Sequence, residues 1–297
     1  MITYRHHIVS LVAVFLALAI GVALGGGPLS DLGRDASATT STAKEKTLDA
    51  KRAATFGDEF AVATGQTLYD GRLQDHPVAV LALPGADEDI VAALEQQIET
   101  AGGSVTGRYN VQKALVDPGE KSLVDALGSQ LMTQLGAGVV DAETSTYTRI
   151  GQLVGVAVST TQTTAEPVGS KATSIRQSLV GADLMTSPRG EVDVAPLVLV
   201  VMGSKSGGDQ DQAVLSGILS GLAAKSAGAV VVADSAAGVN GSLAALRRQP
   251  AADEVTTVDG VESPLGQVTA TLALLRALAG DGGSFGASGP DGAVPLG

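Results

Sequence analysis

From Ile8 to Leu24 the chain carries no charged residue, and only Ser10 and Gly21 interrupt a run of Ile, Val, Leu, Ala and Phe. A helix of about 17 residues is roughly 25 Å long, just short of the ~30 Å hydrocarbon core of a bilayer. Gly25-Gly26-Gly27 can lengthen it. It is apolar on every face, which a helix on a domain surface is not. Two fates fit such a segment. Arg5 and the small residues Ala23-Leu24-Gly25 suit a cleaved secretory signal, whereas the length of the run suits an anchor that stays. The reading adopted is a single-pass signal anchor over residues 1–27, with a cytoplasmic stub and all that follows held outside the cell membrane.

The 297 residues suffice for one large domain or two small ones. With 38 glycines and only 3% aromatic residues, the core must be built from Ala, Val and Leu. A net charge of −12 repels a phosphate backbone, which argues against nucleic acid as a partner. Cysteine is absent, so disulfides and thiolate metal sites are excluded.

Residues 28–75 read as a helical stem. Ala53, Phe56, Phe60, Ala63 and Thr67 recur at spacings of three and four, which draws one narrow apolar stripe. Such a stripe packs on its own domain or pairs two copies as a coiled coil. The sharper expectation is a homodimer joined along Ala53, Phe56, Phe60 and Ala63.

The pattern changes at His76. "HPVAVLALPGADEDIVAALEQQIETAGGSVTGRYN" reads as strand, Pro-Gly turn, acid-started amphipathic helix, Gly-Gly and strand. The order returns in "APLVLVVMGSKSGGDQDQAVLSGILSGLAAKSAGAVVVADS", residues 195–235. Crossovers of this length join parallel strands, so residues 76–280 are expected to form an α/β domain: a doubly wound, mostly parallel sheet from two βαβ-containing halves. Thr256 to Asp259 lies in a further strand candidate, and Pro264 opens a closing helix. "QLVGVAVS" (152–159) fits strand or helix, and the Gly-rich stretch 281–297 reads as a flexible tail.

Ligands of doubly wound sheets sit beyond the carboxyl ends of the strands. Lys205, Ser206 and Asp234 fall there and are the candidate crevice residues for a small ligand. "GSKSGG" lacks the spacing of a phosphate loop, and "PGADED" places acids where a pyrophosphate would lie. The three histidines, His6, His7 and His76, stand beside no nucleophile motif, so no catalytic residue is assigned and the chain is expected not to be an enzyme. Met132, Met185 and Met202 are isolated, and no metal ligand set is assigned.

In combination, "YRHHIVSLVAVFLALAIGVALGGGPLSD", "PVAVLALPGAD", "AGGSVTG", "VTTVDGVESPLGQVTATLALL" and "FGASGPDGAVPLG" make the chain resemble the actinobacterial copper transporter family of mycobacterial copper transport protein B, MctB. That resemblance implies a cell-envelope protein with one membrane helix. It carries two roles: copper efflux and homeostasis, with copper as a family-implied ligand only, and the SteB-like branch, which acts in daughter-cell separation with a SteA-like membrane partner and a peptidoglycan hydrolase. Continuous apolar strands separated by helices do not suit a membrane barrel. The expectation is therefore a non-enzymatic scaffold, with the copper role as the alternative.

Overall fold

The computed structural model describes residues 28–136, 138–141 and 143–296, with side chains from residue 45 onward. The expected membrane anchor lies outside these residues. Among those described, no helix is long and apolar enough to cross a membrane. The chain divides into two compact units, Met1–Gly57 and Asp58–Gly297. Helix α1 (Pro28–Tyr69) begins in the first and ends in the second.

The second unit is built on a six-stranded, wholly parallel sheet in the order β2-β1-β3-β4-β5-β6. Its strands are β1 (Val78–Ala82), β2 (Val105–Asn110), β3 (Leu197–Val201), β4 (Gly228–Ala233), β5 (Thr256–Asp259) and β6 (Gly283–Phe285). All of β1, β3 and β4 is buried. Side chains of a strand alternate between faces, so these strands must feed two cores. Ala79, Leu81, Val198, Val200 and Val231 point into one. Val78, Val80, Leu197, Leu199, Val230 and Val232 point into the other. Strands of three to six residues in an open sheet differ from the ~10-residue strands of a closed membrane barrel.

The remaining helices are α2 (Glu88–Thr100), α3 (Lys113–Val116), α4 (Lys121–Leu135), α5 (Thr146–Val158), α6 (Ser170–Gly181), α7 (Asp209–Ala223), α8 (Ser235–Asn240), α9 (Ser242–Leu246) and α10 (Pro264–Leu278). Val91, Leu94 and Ile98 of α2 and Val268, Leu272 and Ala273 of α10 fill one core. Helices α4 to α7 and α9 fill the other. Both βαβ units read from the sequence are present, β1-α2-β2 and β3-α7-β4.

"QLVGVAVS" resolves as helix through Val158, within α5, with Ser159 as its extended C-cap. It packs on α7 at glycines of both helices: a Cβ on Gly151 would stand 2.2 Å from Ile218 O, and one on Gly221 would stand 2.1 Å from Thr148 O. Only glycine lets the two backbones come so close.

Three boundaries are corrected. The stem does not run free to residue 75, because Ala61, Gly65 and Tyr69, one per turn, are buried in the α/β unit. The Tyr69 hydroxyl donates to Gln97 Oε1 at 2.6 Å, and burial raises its pKa. The α/β unit therefore starts at Asp58, not at residue 76. Nor is 281–297 a flexible tail over its length, since Gly283–Phe285 adds the edge strand β6 and buries Phe285. A polar network holds it there. Arg247 pairs with the buried Asp259 at 3.1 Å and also donates to Phe285 O at 2.8 Å. Asp259 Oδ2 accepts from the N–H and hydroxyl of Ser288 at 2.9 and 2.6 Å.

Candidate functional site

β1 and β3 are neighbours, yet the chain leaves them toward opposite edges of the sheet, β1 toward β2 and β3 toward β4. Loops that part in this way open a crevice at the carboxyl ends of the two strands, where open α/β sheets place ligands. Here the first turn is Leu83-Pro84-Gly85, with Gly85 at φ +85. Beside it runs the loop from Met202 to Gly208. The two turns touch: a Cβ on Gly203 would stand 2.6 Å from Gly85 O. Next to that contact lies a cavity of about 290 Å³ with Leu83, Val116, Met202 and Leu215 among its apolar lining and Lys113, Asp117, Lys205 and Gln212 among its polar lining.

The three residues singled out from the sequence are treated differently by the fold. Lys205 lines the cavity and is exposed. Ser206 is not on its wall; its hydroxyl accepts from Gln212 Nε2 at 2.9 Å and donates to Gly207 O at 3.2 Å. Asp234 is engaged elsewhere. One carboxylate oxygen accepts from Ala237 N at 2.7 Å as the cap of α8, and the other accepts from the Ser204 hydroxyl. The sequence placed Asp234 correctly at a strand end, but a strand end is also where the next helix must be capped.

The helix starts facing this end of the sheet carry their own anions. Asp211 Oδ2 accepts from Gly208 N at 2.7 Å at the start of α7. Asp87 Oδ1 accepts from Asp89 N at 2.9 Å at the start of α2. These carboxylates occupy the places where a phosphate would meet free N–H groups and positive helix ends. The lining thus combines an apolar floor with cations and anions at its rim, a chemistry for a neutral or zwitterionic small molecule. Sequence reasoning passed over Gln212, which is 7% exposed and whose Oε1 has no partner. A polar residue beside the capping Asp211, at the start of a helix, gives no sign that the fold will bury it.

The residues of the stem stripe are exposed on α1. Phe56 is 71% and Phe60 57% exposed, and Ala53 and Ala63 are exposed too. Val62 and Leu68 of the same helix are exposed as well.

The candidate metal ligands are dispersed. Met185 and Met202 are core residues, and Met132 packs against the same core. His76 Nδ1 lies 2.6 Å from Thr163 O, an acceptor, so this nitrogen carries the proton. Among the described residues, no three of His, Asp and Glu converge on one point.

The family model described as "Copper transport outer membrane protein, MctB" matches residues 1–295. The copper transporter MctB of Mycobacterium tuberculosis (strain ATCC 25618 / H37Rv) is 28% identical over 298 residues, covering 92% of each chain. That of Mycobacterium bovis stands at the same identity and coverage. The protein of the same name from Mycobacterium leprae is 27% identical over 304 residues, covering 94% of each. A family model that covers residues 1–295 extends the likeness along almost the whole sequence, and the chain belongs to the MctB family.

Proposed function

We propose that this chain is a membrane-tethered, non-enzymatic cell-envelope protein that acts by binding other proteins, as in the SteB-like role in daughter-cell separation. Two copies pair along the Ala53, Phe56, Phe60 and Ala63 stripe. The uncharged run from Ile8 to Leu24 supplies the tether. The observation that carries the proposal is the stripe itself. In a chain with only four phenylalanines, two stand exposed on one helix while Ala61, Gly65 and Tyr69 of that helix are buried. Exposed aromatic residues grouped on one face are what a partner surface offers.

Because the chain has no cysteine, a single introduced thiol reports on pairing without ambiguity. Phe56→Cys in the full-length membrane-inserted chain is expected to form a disulfide-linked dimer under mild oxidation, whereas Arg72→Cys is not. Absence of the Phe56→Cys dimer, or equal dimer from both, removes this interface.

The relatives' printed name favours a second reading, a component of copper homeostasis. It needs ligands gathered by oligomerisation or by a partner, since soft Cu(I) prefers thioether or thiolate and Cu(II) imidazole. Copper titration of the purified full-length chain separates the two readings. The scaffold reading expects only weak, non-stoichiometric binding to an acidic surface. A stoichiometric site lost on replacing His76 or a methionine reverses the ranking.

A further inference from the structure

Arg176, on α6, is only 7% exposed, and burial pulls its pKa down. Its Nε donates to Ala157 O at 2.6 Å, and its Nη1 donates to Val192 O at 2.7 Å. The guanidinium lies 5.6 Å from the ring centre of Tyr109. Ala157 belongs to the carboxyl end of α5, so a partial negative charge faces one side of the cation. Neither arrangement serves Nη2, which is buried with no acceptor. No carboxylate among the described residues forms an ion pair with this arginine. The hydroxyl of Tyr109, a residue with no exposed surface, is also without a partner. The charge of Asp193 acts on Arg176 without contacting it, so both buried groups lack an acceptor, and a buried donor left without one is costly.

Against Arg176 lies a cavity of about 280 Å³ walled by Val168, Thr173, Val180, Ser187, Pro188 and Glu191 among others. One wall is a strap that runs along the outer edge of β2. It is pinned at one end by the Thr186 N–H to Asn110 O at 2.8 Å and at the other by Val192 O on Arg176 itself. No backbone hydrogen bond ties Ser187–Glu191, between the pins, to the sheet. The strap can therefore lift and expose Nη2 without breaking the ladder.

We propose that this cavity binds a small amino-acid-type ligand once the strap lifts, with its carboxylate accepting from Nη2 of Arg176, a residue of the cavity wall, and its ammonium facing Glu191. A carboxylate matches the unpaired guanidinium donor in charge and size. The exposed Glu191 at the rim opposes a phosphate dianion and welcomes a cation attached to the ligand. Val168, Val180 and Pro188 offer contact to a short aliphatic body. This site is independent of stem pairing and of copper.

The test is calorimetric titration and thermal melting of the full-length chain in detergent micelles, with alanine, N-acetylalanine and inorganic phosphate as probes. Alanine is expected to bind and raise the melting temperature in proportion to occupancy. N-acetylalanine should bind roughly tenfold more weakly, the worth of one charge-assisted contact, and phosphate not at all. Glu191→Gln should remove most of the preference for alanine over N-acetylalanine. Arg176→Lys should abolish binding, but it also loosens the strap, so Val180→Trp serves as the second variant. Val180 is 44% exposed, so this change fills the cavity mouth and leaves the core intact. The proposal is overturned if no carboxylate probe binds at about 10 mM, if phosphate matches alanine, or if Val180→Trp binds alanine as well as the parent.

Discussion

Asp259 shows how one residue can be misread at the scale of its own chemistry. An aspartate at the carboxyl end of a strand, followed by glycine, stands where ligands bind in folds of this kind. Its carboxylate is nevertheless fully committed, to Arg247 on one oxygen and to Ser288 on the other. Arg247 spends its remaining donors on Thr257 Oγ1 at 3.0 Å, Ser288 Oγ at 3.2 Å and Phe285 O at 2.8 Å. Every partner but Thr257 and Asp259 lies in the closing segment, so this pair is a clasp for β6. Arg247→Ala leaves a buried, charge-unpaired Asp259 and is expected to destabilise the domain by about 3–5 kcal/mol. Chemical denaturation gives the loss. Hydrogen exchange at Gly283–Phe285 should rise before exchange in β1 and β3; protection kept at β6 would show that the clasp is dispensable.

At the scale of elements, the pairing of α5 with α7 decides one wall of the core. Gly151 and Gly155 on α5, and Gly217 and Gly221 on α7, each recur after four residues and so line one face of each helix. Close approach of the backbones leaves no room for even one methyl. Gly221→Ala would push a carbon to 2.1 Å from Thr148 O and must part the helices, at a cost of about 1–3 kcal/mol or more by overpacking. Gly181→Ala, on α6 where a Cβ meets nothing within 4 Å, is the matched control and should change stability by less than about 0.5 kcal/mol. Equal denaturation midpoints for the two variants would mean that the close approach is not a constraint.

The stem is read at the same scale. Period alone drew the stripe through Ala53, Phe56, Phe60 and Ala63, and these are exposed. It missed that Ala61, Gly65 and Tyr69, on the opposite side of the helix from Phe60 and Ala63, are buried in the α/β unit. Small residues make a weak periodic signal against phenylalanine, although their size is what lets the helix sit close.

For the whole molecule, the pairs β1-β2 and β3-β4 follow from two right-sized crossovers, which by rule share one hand. β1-α2-β2 and β3-α7-β4 move across the sheet in opposite senses and place their helices in opposite cores, so their hands agree. β5-α10-β6 breaks the rule. It moves in the same sense as β3-α7-β4, yet α10 packs in the core of α2, so its hand is opposite. A connection of that kind is rare enough that no sequence argument would add the strand, and the Gly- and Ser-rich composition of 281–297 pointed away from it. What secures β6 is the clasp at Asp259, made by residues far apart in the chain.

The apolar runs, the acid cap Asp87 and the strand–helix alternation are local, and period and composition were enough to indicate a mostly parallel α/β sheet. Contacts between distant residues decided the rest: the helical state of 152–158, the burial of Tyr69, the docking of β6, and the turning of Asp234 to a cap. Those outcomes depend on which surfaces meet after the sheet has formed, and their energies come from close packing and buried hydrogen bonds that no window of neighbouring residues contains.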